Sequence, residues 1–135
     1  MREIEFRVWC NKTKIFLDTD TIAIVANGEF VLEISPFTGN TLSILKDIEV
    51  MQYTGVCDNH GNFIYEGDIL SDADIHNERE NMEDERKTPS YLIYFDEGCF
   101  LAGSLKFTDA RTLSDICWSL EVVGNKFDNP ELLEM

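Results

Sequence analysis

The chain lacks any apolar run long enough to span a bilayer, any metal-binding cysteine pair, and any basic segment. Its longest apolar stretches fall far short of the roughly 20 residues of a membrane helix, so none is expected. Met1–Trp9 interleaves four charged residues with apolar ones, which is not the pattern of a secretory leader. A cytoplasmic, reducing compartment is the expectation. The four cysteines, at 10, 57, 99 and 117, form no CxxC or CxH pair, which removes the usual zinc spacing. They are expected to be free structural thiols. Eleven Lys and Arg stand against 26 Asp and Glu, a net charge of −15. Phosphate binding needs cations that displace counterions, so direct contact with nucleic acid is not expected. Nor does the chain contain a GxSxG, HExxH, Walker or GxGxxG pattern.

Apolar bulk, by contrast, is ample. Twelve Ile, twelve Leu, seven Val and nine Phe make up roughly 30% of the 135 residues. Chains that stay disordered fall below about 20%, so this one is expected to fold despite its charge.

The apolar residues fall mostly at strand spacing. Glu3–Trp9 alternates, with Ile4, Phe6 and Val8 on one face and Glu5, Arg7 and Trp9 on the other. After the polar Asn11–Lys14, Ile15–Leu17 starts a return strand. Thr21–Val25 and Glu29–Ile34 flank Ala26-Asn27-Gly28, a hairpin signal, with Phe30, Leu32 and Ile34 sharing a face. Leu42–Val50 fits helix and strand equally. Met51–Gly55 ends a strand, and Phe63–Tyr65 leads through Glu66-Gly67-Asp68 into Ile69-Leu70, with Gly67 as the bend. Asp72–Ser90 carries seven acids and three bases with little apolar content, and reads as an exposed, mobile excursion. Tyr91–Phe95, Asp96-Glu97-Gly98 and Cys99–Leu101 make a hairpin, and Leu105–Phe107 extends the strand signal. Thr108-Asp109 looks like a helix start with Leu113, Ile116 and Cys117 on its buried face. Leu120–Val123 is the last strand, and Pro130 opens a helical turn. The expected fold is mainly β with short helices. A β lobe over residues 1–50 precedes a barrel or roll over 51–135, interrupted by the acidic insertion at about 72–90.

Three blocks resemble a known family. They are Met1–Trp9, then Met51-Gln52-Tyr53-Thr54-Gly55 with Tyr65-Glu66-Gly67-Asp68-Ile69, then Glu121-Val122-Val123-Gly124-Asn125 with Asn129-Pro130-Glu131-Leu132-Leu133. Their order and separation resemble the YopX family, encoded by bacteriophages and by prophages of bacteria, chiefly Firmicutes. The resemblance implies an SH3-like β barrel in the C-terminal part, with Tyr65–Ile69 entering a barrel strand, in a protein of the bacterial host's cytoplasm. The family's function is unknown, so no catalytic residue carries over. Two departures stand out: Cys10 occupies a place where an acidic residue often follows the Trp, and the Asp72–Ser90 stretch is longer than a plain barrel turn.

Candidate chemistry is sparse. His60 lies in a predicted turn and His76 in the excursion, and neither place offers the fixed partner a catalytic histidine needs. Glu66 and Asp68 are spaced to share a strand face and to bind a cation, but no further ligand stands nearby, and a turn-fixing Asp68 explains the pattern better. Asp58–Asn62 resembles a calcium loop without its closing Glu. No catalytic residue, metal or cofactor is therefore expected. Tyr53, Tyr65, Glu66, Asp68 and Tyr91 are the candidate partner-binding residues, since aromatic-lined grooves on small barrels take peptides. The expected function is a non-enzymatic accessory or regulatory module that binds a host or phage protein. One alternative is an acidic mimic of nucleic acid that occupies the basic cleft of a DNA-processing enzyme; a weaker one is a carboxylate metal-dependent enzyme.

Overall fold

The structure, a computed structural model, describes residues 4–72, 90–104 and 110–133. They are mainly antiparallel β and form two compact units that part between Gln52 and Tyr53.

In the first unit, β1 (Phe6–Cys10) runs between β2 (Ile15–Phe16) and the first half of β6 (Ile48–Cys57). The alternation in the sequence predicts one buried face, that of Ile4, Phe6 and Val8. Instead Val8, Trp9 and Cys10 are all buried, whereas Ile4 and Phe6 are exposed. Having a neighbour on each edge, β1 is a central strand, and Trp9 is covered edge-on by its cross-strand partner Phe16 at 5.0 Å. Side-chain cover such as that of Phe16 over Trp9, rather than period two, sets which residues of β1 are buried. A second sheet orders β3 (Ile22–Ile24), β4 (Val31–Ile34) and β5 (Thr41–Leu45). Its first hairpin turns at Asn27-Gly28: Gly28 has φ +73° and donates to the Val25 carbonyl at 2.7 Å, while the Asn27 side chain accepts from the Glu29 N–H. The residue this sheet buries completely is Val31, not those of the Phe30, Leu32 and Ile34 row. The ambiguous Leu42–Val50 stretch is strand on both sides of a break at Lys46-Asp47.

In the second unit the end of β6 pairs with β7 (Phe63–Tyr65). The rest is a five-stranded sheet in the order β11-β10-β9-β8-β12. Its strands are β8 (Asp68–Asp72), β9 (Ser90–Asp96), β10 (Cys99–Ser104), β11 (Ala110–Thr112) and β12 (Leu120–Asn125). Register puts Leu70 beside Tyr91 and Val122, and Ile93 beside Ala102. Leu70, Ile93 and Ala102 meet Ile64, Leu113 and Leu120 in a closed core. Six such side chains are what hold this unit together, each contributing about 1.5–3 kcal/mol if as large as Leu or Ile. The β9–β10 hairpin closes on Glu97 (φ +51°) and Gly98 (φ +81°). Positive φ at both central residues is the two-residue turn that matches strand twist.

One helix differs from expectation. The sequence predicts a start at Thr108-Asp109, which, like Leu105–Phe107, lies outside the described residues. Ala110–Thr112 is strand, because it pairs with Leu101–Gly103. Helix α1 (Leu113–Ile116) is only one turn, passing into a 3-10 turn at Cys117–Ser119. Leu113 anchors it, buried in the core. The expected acidic insertion lies outside the described residues over 73–89, and the strands on either side of it, β8 and β9, pair antiparallel. Among the described residues no helix is long and apolar enough to cross a membrane.

Candidate functional site

The turn from Tyr65 to Asp68 joins β7 to β8 and is tied down on every side. Gly67, at φ +84°, donates to the Ile93 carbonyl at 2.8 Å, and its own carbonyl accepts from the Lys126 N–H at 2.9 Å. The Asp68 carboxylate turns back to accept from the Tyr65 N–H at 2.8 Å. Asp68 is only 2% exposed. Glu66 and Asp68 therefore flank a bend rather than share a strand face. The bend reverses the chain between them, which defeats the period-two argument for a paired-carboxylate site. Tyr53 is also enclosed, at 6% exposure, stacked on Phe63 at 4.2 Å with its hydroxyl 3.6 Å from the Cys57 sulfur. Tyr65, Glu66 and Tyr91 are half-buried, and Tyr91 packs on the core.

A second set of hydrogen bonds closes the C-terminal end. Asn125 accepts from the N–H groups of Phe127 and Asp128 through its side chain. Its own N–H donates to the Asn129 side chain at 3.2 Å, and its carbonyl accepts from the Asn129 N–H at 2.9 Å. Asn129 lies against Gly124 so closely that a Cβ on that glycine would overlap the amide oxygen. The Gly-Asn and Asn-Pro pieces of the third sequence block thus form one latch.

Asp58 fastens the β6–β7 loop. Oδ1 accepts from the N–H groups of His60 and Asn62, and Oδ2 from the Asn62 side-chain amide and from the distant Val122 N–H at 3.0 Å. Burial would push this carboxyl up, but the N–H groups of Val122, Asn62 and His60 together outweigh it and hold it below the usual carboxylate range. The faint calcium-loop pattern is thereby explained: the carboxylate is consumed by amides. The same loop carries His60, which is exposed and lies within 3.1 Å of a Glu121 carboxylate oxygen. His76 lies outside the described residues. Among the described residues no three His, Cys, Asp or Glu side chains converge as a metal site.

An open feature of this unit lies elsewhere. On β9, Tyr91, Ile93 and Phe95 share the core face by strand period, and Phe95 pairs across the hairpin with Phe100, their rings edge-to-face at 5.1 Å. This apolar row runs out of the core at the hairpin, where Phe95 is 53% exposed. There a cavity of about 260 Å³ opens, walled by Val56, Phe95, Phe100 and Leu113 and edged by Thr54, Cys99, Thr112 and Ser114. Thr54 is fixed by donating to the Ile64 carbonyl at 2.8 Å, across a bulge in β6 where Gly55 takes φ +89°. Thr112 precedes α1 with no capping bond from its side chain. None of the five candidate residues lines this cavity. The sequence holds one sign of it, a phenylalanine at the end of an alternating row beside a two-residue turn.

Among curated proteins, none matches this sequence. Two crystal structures are similar over nearly the whole chain. Protein EF1440 from Enterococcus faecalis is 25% identical with a TM-score of 0.65, covering 98% of this chain and 99% of its own. Protein yopX from Bacillus subtilis is 20% identical with a TM-score of 0.59, covering 98% of both chains. The family model described as YopX protein matches residues 5–134, including the Tyr65–Asp68 turn and the Gly124–Asn129 latch just described, and the chain belongs to the YopX family.

Proposed function

We propose that this chain is a non-enzymatic protein-binding module, a phage or prophage accessory protein that works in the bacterial cytoplasm by seating a partner's side chain at the open end of its core. The observation that carries this is the cavity beside Phe95. Pockets for small ligands and cofactors run about 300–1,000 Å³, and this one, at about 260 Å³, falls below that range. It suits one or two side chains of a peptide. Its walls are apolar and aromatic, as binding anchors require, and its edge supplies hydroxyls for a peptide backbone. The sheet order β11-β10-β9-β8-β12, with a 3-10 turn before the last strand, supports an SH3-like barrel as the scaffold.

The test is affinity capture from bacterial lysate on the intact chain and on Phe95→Ser, washed at low salt and at about 0.5 M, where charges are screened beyond a few ångström. The expected result is a partner kept at high salt by the unaltered chain and lost by the variant. A partner held equally by both overturns the cavity reading. A partner with a basic cleft, lost at high salt from both, favours the nucleic-acid mimic, whose support is the net charge of −15.

A further inference from the structure

We infer that the segment taken by the Phe95 cavity is a basic peptide: one aliphatic or aromatic anchor residue flanked by Lys or Arg. The inference rests on the cavity being the binding site and adds the chemistry of what enters it. The charges come from the residues that adjoin the walls. Asp96 and Glu97 form the tip of the hairpin between Phe95 and Gly98, and Asp115 follows Ser114 on α1. All three are exposed, and they stand on both elements that frame the opening. Among the described residues, Arg111, before Thr112, is the base next to a lining residue along the chain. Asp96 is held in place because its carboxylate accepts from the Glu97 N–H at 3.0 Å. The opening therefore has apolar residues Val56, Phe95, Phe100 and Leu113 in its lining and, next to lining residues along the chain, three exposed acids against one base. An anchor with acidic flanks would meet like charge at both sides; one with basic flanks gains attraction there and a faster encounter.

Three short labelled peptides test this against the intact chain, with binding read by fluorescence anisotropy and its place by amide chemical shifts. One carries Leu between Lys-Arg pairs, the second Ser in place of the Leu, the third Leu between Gly-Ser pairs. The basic Leu peptide is expected to bind best and to move the amides of Val56, Gly98, Cys99 and Leu113. Asp96→Asn with Glu97→Gln, two exposed changes that leave the walls intact, should weaken it on the order of fivefold, as expected for two exposed charge pairs. If the Gly-Ser peptide binds as tightly as the basic one, the charge inference is overturned while the cavity stands. If the Ser peptide equals the Leu peptide, or no peptide moves those amides, the cavity reading falls and this inference with it.

Discussion

Removing the Asp58 carboxylate should be among the most damaging single changes in the second unit. The side chain is 6% exposed and accepts four hydrogen bonds, one of them from Val122, 64 residues away. Asp58→Ala leaves the Val122 and Asn62 N–H groups, both in part-buried bonds, without their acceptor. Each unpaired buried donor costs about 1–3 kcal/mol. Because the bonds share one loop, the total is about 2–4 kcal/mol, a fall in Tm on the order of 10 °C for a chain of this size. Asp58→Asn is the sharper probe. An amide can place its oxygen at only one of the two acceptor positions and then points an NH2 group at N–H donors on the other. It should therefore cost nearly as much as alanine, although its shape is that of the carboxylate.

The pH dependence has a definite sign. The folded carboxyl titrates below its ordinary value of 3.8. Its stabilisation is therefore complete above that pH and is lost as pH falls through the lower, folded value. Thermal unfolding of both variants should run parallel to the unaltered chain from neutral pH to about 4 and converge with it below. Hydrogen exchange at the Val122 amide should quicken in step. An Asp58→Asn protein with unchanged Tm at neutral pH and a protected Val122 amide would refute the clamp.

Other expectations follow from the same coordinates. Gly124→Ala should cost about 1–3 kcal/mol, because its Cβ would displace the Asn129 amide; in an Asn129→Ala background denaturant melts should show part of that cost gone. Glu97→Asn should stabilise by about 0.5–1 kcal/mol, since Asn tolerates the φ of +51° better than Glu and Asn-Gly is the favoured pair for this turn; an unchanged melting midpoint would count against it. Burial pushes the Cys117 thiol up, so at mildly alkaline pH it should be labelled slowly by a thiol reagent even in the folded chain, and mass spectrometry of the labelled sites reads this directly.

Local chemistry was legible wherever it was carried by adjacent residues. Gly28, Glu97-Gly98 and the bend at Gly67 are all positions of positive φ, and each turn was marked by its own glycine. The turn-fixing role of Asp68 was likewise visible, because the N–H it accepts from belongs to Tyr65, three residues back. What failed depended on partners far along the chain. The burial of Trp9 depends on the Phe16 ring, brought over it by pairing with β2, which no local period reveals. Helix spacing at Leu113, Ile116 and Cys117 was real but short, since pairing of Ala110–Thr112 with β10 takes the preceding backbone into a strand. Asp58 looked like a failed cation loop because its fourth donor, Val122, lies beyond any sequence window.

The family's sequence blocks can now be seen as mechanical parts. Gly67 ties the Tyr65–Asp68 turn to β9 through Ile93 and to the C-terminal latch through Lys126, so two blocks meet at one glycine. In Tyr65–Asp68 and Gly124–Asn129 the groups that look reactive are engaged. The Asp68 carboxylate is bonded to a backbone amide, the Asn125 and Asn129 amides are bonded within the latch, and Gly124 is under Asn129. Residues committed in this way hold the fold and are poorly placed to meet a partner. Binding chemistry needs surface that the fold has not used, and the apolar row that leaves the core at Phe95 is such a surface. Under the proposed function, a chain could keep every block and still change its partner by altering Phe95, Asp96, Glu97 and Asp115. Exchanging those four residues between two members of the family should move peptide preference without moving Tm; if preference instead travels with the Tyr65–Asp68 turn, the division between frame and site drawn here is wrong.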